Sequence, residues 1–345
     1  MINDKMKFLL QEYRNAPKEF HATTYWDSYE NNILDTISSI DLNQLRSGKY
    51  PIFATFGFND VTFTYHVNLP FWKRTILKII QEYLIKDRTI LPYNLKKSDI
   101  QDVAYHHCEF MGDFTKSLPI SSIGASTFGN PQDIFERGGR KYTMHFLSYY
   151  LRYCFAQKNI SFNGDETIVE LGSGSGYQIE ILKKLYPNMT VLCFDLPGQI
   201  YLCEKYLSRA LGAENVIGTD ETLKWKDLSG VKRGGVHFLG NWQIPLLQNF
   251  QFDVFWNAAS FGEMEPDIVE NYLKYVKGNA RWIYLLQARH GKEKSGKAHV
   301  NAQITLDDYK QFLSGYVLRE EHDAWQAHKR LSASGGYFEG VWEKA

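Results

Sequence analysis

The sequence predicts an α/β fold: a Rossmann-like, seven-stranded, mostly parallel sheet behind a mostly helical N-terminal region. Three observations carry this. Strand-like and helix-like patterns alternate from about residue 143 almost to the C-terminus. The first strand pattern closes on Val169-Glu170-Leu171 and runs into three glycines at alternate positions, Gly172, Gly174 and Gly176, before a helix-like pattern begins. The second strand pattern closes on Asp195, 23 residues past Gly172. Residues 1–120 read as the helical region and residues 121–345 as the sheet domain.

Taken in order, a helix over 143–157 leads into a strand at 167–171. The helix after the glycines spans about 177–185, with Ile179, Leu182 and Leu185 on one face and Pro187 beyond its end. A strand at 190–194 is closed by Asp195; a helix at 199–211 stops at Gly212. An insertion, roughly 213–234, precedes a strand at 236–239. The next strand is 252–257, and a helix opens at Pro266, a good first-turn residue, to end at Gly278. A strand at 282–286 follows. Thr305-Leu306-Asp307-Asp308 reads as a capping-box variant opening another helix. Strands at 316–321 and 337–342 are expected to form an antiparallel edge, with Ser334-Gly335-Gly336 turning between them.

The N-terminal region is less regular. Residues 24–40 and 70–85 have helical spacing, the second through Ile76, Ile79, Ile80, Tyr83 and Leu84. Residues 52–67 alternate as a hairpin would. The stretch 118–142 is loop-like, with Gly124, Gly129-Asn130-Pro131 and Gly138-Gly139; a loop so long is functional or disordered. It is expected, with the N-terminal region, to cover the site and choose what enters.

Composition narrows the class. Over 345 residues, 44% hydrophobic and 23% charged content is that of an ordinary globular protein. The formal net charge is zero, so no basic field drives binding to a nucleic-acid backbone. Cys108, Cys154, Cys193 and Cys203 have neither C-x-x-C nor metal spacing, which points to free thiols in a reducing cytoplasm and to no metal. The N-terminus lacks the apolar core of a signal peptide, and no stretch approaches the ~20 residues of a membrane span. The aromatic content of 15% suits a sugar site, but compositional bias explains it equally.

The glycine spacing discriminates between ligands. A dinucleotide fingerprint, G-x-G-x-x-G, puts its third glycine at 177, and Tyr177 stands there instead. The E-x-G-x-G-x-G form at 170–176 resembles the cofactor loop of class I S-adenosylmethionine (SAM)-dependent methyltransferases. Ligands of open α/β sheets sit beyond the carboxyl ends of the strands. There the chain has Gly172, Ser173, Gly174 and Gly176; Glu170, for an amino group or as partner of a helix dipole; and Asp195 with Leu196, for ribose hydroxyls or for a turn. After the third strand, Asn241 could read an adenine amino group and Trp242 could stack on a base or be buried. After the fourth come Asn257 and Ser260-Phe261-Gly262-Glu263-Met264. No N-P-P-Y tetrad of the amino- and base-methylating enzymes appears, and Glu263 is placed either as a general base or as a cap of the next helix. His290 is the second base candidate. His106-His107 has no assigned role, and Lys292, Lys294 and Lys297 form a basic loop that is either solvated or a diphosphate binder.

These residues together resemble the sugar O-methyltransferases of bacterial surface-polysaccharide and glycosylated natural-product pathways. The likeness covers roughly 118–345: Ile123-Gly124, Gly129-Asn130-Pro131, Val169 to Gly176, Phe194-Asp195-Leu196-Pro197 with Lys205-Tyr206-Leu207, and Phe252 to Asn257 with Ser260 to Met264 and Asn271-Tyr272-Leu273. It continues through Tyr284-Leu285-Leu286-Gln287 and Gly340-Val341-Trp342. Trp26 and Asp41-Leu42 through Arg46 resemble the N-terminal region of that family more faintly. The resemblance implies SAM as cofactor and a hydroxyl of a sugar, nucleotide sugar or glycan as acceptor, with Glu263, or else His290, as base. A non-sugar or phosphorylated acceptor, a non-catalytic binding protein and a homo-oligomer stay open.

Overall fold

The computed structural model describes residues 4–58, 70–79, 97–292, 300–325 and 336–345. The N-terminal region supplies helices α1 (Asp4–Asn15), α2 (Thr24–Ser39), α3 (Phe71–Ile79) and α4 (Lys97–Phe114). Within the expected hairpin, Pro51–Phe56 is a 3₁₀ turn, not a strand; 59–69 lie outside the described residues, as do Ile80, Tyr83 and Leu84. A short hairpin follows, β1 (Phe135–Arg137) and β2 (Arg140–Tyr142). Helix α5 (Met144–Ile160) is opened by Thr143, whose hydroxyl accepts from Phe146 N.

The sheet is then assembled from β3 (Thr167–Leu171), α6 (Tyr177–Leu185), β4 (Thr190–Asp195), α7 (Pro197–Ala210), β5 (Val216–Ile217), α8 (Thr219–Thr222) and β6 (Val236–Gly240). It is completed by β7 (Phe252–Ala258), α9 (Pro266–Val276), β8 (Ala280–Ala288), α10 (Leu306–Phe312), β9 (Tyr316–Asp323) and β10 (Tyr337–Lys344). The strand order is β5-β6-β4-β3-β7-β8-β10-β9. Strands β3 to β8 pair in parallel, and β10 lies antiparallel between β8 and β9. The expected Rossmann-like α/β class is observed, with one addition: Val216–Ile217, inside the presumed insertion, makes an eighth, two-residue strand.

Alternate residues of the central strands enter different cores, as a period of two requires. Ile168, Val191, Val254 and Trp256 face a core closed by α5, α6, α7 and the N-terminal helices. Val169, Leu192, Phe255 and Ile283 face one closed by α9 and α10. Phe20 belongs to the second core, whereas Met6, Leu9 and Ile33 belong to the first. The segment between α1 and α2 therefore crosses the carboxyl edge of the sheet.

The stretch 118–142 is largely ordered into the body. Ile120, Ile123, Ala125 and Tyr142 are buried, and Ser126 N donates to Glu180 Oε1 at 2.7 Å. It does not line the cavity described below, so the expectation that it covers the site is corrected: its apolar residues bind it against α5 and α6. Among the described residues no helix is long and apolar enough to cross a membrane, and no group of three or more His, Cys, Asp or Glu could hold a metal ion.

Candidate functional site

A cavity of about 270 Å³ opens at the carboxyl ends of β3, β4, β6 and β7, beside the point where the strand order reverses. Its floor contains Glu170, Gly172, Ser173, Gly174, Asp195, Leu196, Asn241 and Glu263. Eight of the residues expected at the site are thus brought together.

The glycine loop is shaped by backbone conformation. Gly172 has φ +78°, a region that disfavours side chains, and a Cβ there would lie 2.4 Å from Ser260 Oγ. Asp195 holds the loop in place: Oδ2 accepts from Gly174 N and Oδ1 from Leu196 N, each at 2.8 Å. Burial raises its carboxyl to about 6, against the lowering effect of those two bonds. Glu170 is buried, and its carboxyl is pushed well above the ordinary range by burial and then by the Asp195 charge. Glu170 Oε2 and Ser173 Oγ are buried with no hydrogen-bond partner. Such orphans cost free energy unless something else satisfies them.

Asn241 is a third orphan, with its orientation fixed. Its Nδ2 donates to the Phe20 carbonyl at 2.6 Å and to Tyr272 Oη at 2.8 Å. A carbonyl can only accept, so the amide nitrogen must face Phe20. Oδ1 is left buried and unpartnered, an acceptor in the wall of the cavity.

The remaining expected residues lie elsewhere. Gly176 caps α6 and packs against Leu207 and Cys203, outside the cavity. Trp242 covers Gly240 and packs on Tyr13, ring centres 5.5 Å apart. Asn257 is fully buried beneath the cavity. It donates to Leu171 O at 2.8 Å and to Ser260 Oγ at 2.7 Å, and accepts from Gln287 Nε2 and Phe261 N, so it shapes the 258–264 loop from below. His290 is exposed in the turn after β8 and does not line the cavity. His106 and His107 lie on α4, also away from it. Lys292 is described and is paired with Glu263; Lys294 and Lys297 lie outside the described residues.

Two groups of lining residues were not named as site residues from the sequence, although the N-terminal region was expected to cover the site and Trp26 carried a faint family resemblance. The N-terminal region contributes Phe20, His21, Ala22, Thr23, Trp26, Phe56 and Gly57, which form a roof. Helix α5 contributes His145, Tyr149 and Arg152 at helical spacing. The Arg152 guanidinium lies 3.9 Å from the Tyr149 ring centre. Among the described residues no carboxylate is within 4.0 Å of it, although the charges of Glu170 and Glu339 both act on it or feel it. A three-to-four residue spacing on a helix would have flagged this face only if the direction it points were known.

Glu263 sits on the 3₁₀ turn Phe261–Glu263, its side chain 15% exposed. Burial raises its carboxyl to about 7, while Lys292 and hydrogen bonds from Tyr25 and Trp26 pull the other way. It does not cap the following helix: that N-cap is Glu265.

No family model matches the chain, and no curated protein matches it. Among solved structures it is similar to a SAM-dependent methyltransferase from Aquifex aeolicus, with a TM-score of 0.37 and 14% identity over 55% of this chain and 87% of that one. A TehB-like SAM-dependent methyltransferase from Corynebacterium glutamicum gives 0.37 and 14% over 57% and 87%. The magnesium protoporphyrin IX methyltransferase of Synechocystis PCC 6803, with bound SAH, gives 0.39 and 10% over 58% and 84%. Likenesses of this size carry no argument; the Rossmann-like class rests on the chain's own strand order.

Proposed function

We propose that this chain is a SAM-dependent O-methyltransferase acting on a sugar hydroxyl, in a surface glycan, a glycoside or an activated sugar precursor. The observation that carries the cofactor reading is the set of three buried orphans, Glu170 Oε2, Ser173 Oγ and Asn241 Oδ1, around one cavity with the Gly172–Gly174 loop and Asp195. The acceptor set fits: Asn241 Oδ1 would accept from the adenine amino group, Asp195 from the ribose hydroxyls, and Glu170 from the ammonium of the amino-acid end. Arg152, whose charge acts on Glu170, would take the carboxylate of that end. When bound, SAM supplies an electrophilic methyl whose bonding electrons stay with sulfur as the methyl passes to oxygen.

A hydroxyl is a poor nucleophile at neutral pH, and Glu263 is the carboxylate placed to take its proton. The walls hold the two reactants together, which itself supplies much of a rate enhancement. The roof aromatics Trp26 and Phe56, stacked at 5.4 Å, offer a face on which a sugar ring can lie. Glu263 facing the cavity favours catalysis over a non-catalytic binder.

Calorimetric titration with S-adenosylhomocysteine (SAH) tests the cofactor reading; micromolar binding is expected, and no heat at high micromolar ligand sinks it. Transfer of labelled methyl from SAM to nucleotide sugars, but not to phenols or amines, is expected for the acceptor.

A further inference from the structure

Resting on that reading, we infer that the first turn of α2 belongs to the catalytic apparatus: Trp26 and Tyr25, with Lys292 from the segment after β8, are positioning residues that hold Glu263 aimed into the acceptor end of the cavity. Three donors from two parts of the chain remote in sequence converge on one cavity-lining carboxylate. Lys292 Nζ lies 3.4 Å from Glu263 Oε1 and 5.0 Å from the Tyr25 ring centre. The Tyr25 and Trp26 side chains act on the same carboxylate and lower its proton affinity. The Trp26 indole is braced from behind by Phe56, ring planes 18° apart, and both line the cavity. Lys292 is itself held, its backbone N donating to Gly262 O at 3.0 Å on the turn that carries Glu263.

The chemistry gives this arrangement its purpose. A buried carboxylate with no donors would keep its proton at neutral pH and could not receive another. A fully solvated one would be too weak a base. Glu263 lies between these limits because burial and the three donors oppose each other. When the acceptor O–H bond breaks, the proton passes to a Glu263 oxygen, and Lys292, no longer facing a carboxylate, turns to solvent at the rim. The titratable groups facing this unit are Lys292 after β8, Tyr25 and Tyr29 on α2, and Tyr337 at the start of β10. A purely structural pin would hold α2 against the sheet equally well, but it would not depend on the charge state of Glu263.

The test needs no acceptor. Protein labelled with [δ-¹³C]glutamate is titrated by NMR, and the signal missing from Glu263→Gln identifies the group. A midpoint near 7 is expected in the wild type. Lys292→Met removes a cation beside a partly desolvated acid and should raise its proton affinity roughly tenfold; Trp26→Phe should raise it by a smaller factor. Lys292→Arg should restore the wild-type midpoint. A midpoint in the ordinary carboxylate range, or one unmoved in Lys292→Met, overturns the proposal. Should Trp26→Phe not fold, the two Lys292 variants decide alone. Failure of the cofactor reading shows separately, as a wild type that does not bind SAH.

Discussion

The floor and the roof of the cavity are built on opposite plans. The floor comes from strand ends and the turns that follow them, within stretches such as Glu170–Gly174 and Asp195–Leu196. Asp195 is fixed there by neighbouring backbone, Gly174 N and Leu196 N. The roof comes from residues 20–26 and 56–57, more than a hundred positions upstream. Phe20 is tied through its carbonyl to Asn241, Ala22 N donates to Tyr13 Oη, and Trp26 meets Glu263. On the proposed reading, the contrast assigns cofactor binding to the sheet and acceptor choice to the chain that precedes it.

Substitutions on the floor should act on the cofactor and spare the roof. Asp195→Ala deletes two charge-assisted acceptors and is expected to weaken SAH by about a hundredfold or more in calorimetry. Wild-type affinity should also fall as pH drops through about 6, where Asp195 gains its proton. An affinity flat from pH 8 to 5 would remove Asp195 from the ribose site. Next in size, Arg152→Met should weaken SAH roughly tenfold yet leave 5′-methylthioadenosine, which has no amino-acid end, unchanged. Equal losses for both ligands would assign Arg152 to packing instead.

Asn241→Ala tests the point where the two plans meet. It removes an acceptor from the floor and the donor that ties Phe20 of the roof to it, so SAH should weaken several-fold and amide exchange over residues 17–26 should accelerate. Loss of affinity without faster exchange would separate the two roles. The smallest effect is on stability. The Glu263 carboxyl is raised from 4.5 to about 7, so the native state holds that proton more tightly than the unfolded chain. Stability is thereby lost as pH climbs through that window. Glu263→Gln should melt a few degrees higher than wild type at pH 8 and no higher at pH 4, as followed by circular dichroism.

Legibility in the sequence follows the same division. The glycine loop, Asp195 and Glu263 could be read because each sits next to its own strand, and a strand ending in an acid before glycines fixes direction as well as place. Thr305 was legible for a similar reason: its hydroxyl and Asp308 cap each other within one turn. Asn257 has the composition of a ligand-binding position, but its four hydrogen bonds point into the protein, and only a partner 30 residues on, Gln287, reveals that. Helix α5 was predicted as a helix, yet which of its faces met the cavity depended on packing. That the N-terminal region covers the site was expected, but which of its residues do so was hidden: helical spacing from residue 24 does not say which face meets the cavity, and 52–56 alternated like a strand while folding as a turn.

Tyr177, the residue that displaced the third glycine, has a further consequence. The Arg46 guanidinium lies 4.8 Å from its ring centre and 5.2 Å from that of Tyr206, and donates to Ser126 O and Tyr206 Oη. Tyr206 Oη in turn donates to Glu180 at 2.5 Å. A buried cation joins the N-terminal region, the 118–142 stretch and the helix that follows the glycine loop. Removing any one of them strands that charge, at a cost of several kcal/mol. Cooperativity is therefore built across the 120/121 boundary, and calorimetric melting should give a single transition whose calorimetric and van't Hoff enthalpies agree. Two resolved transitions would mean that the arginine joins parts which fold apart.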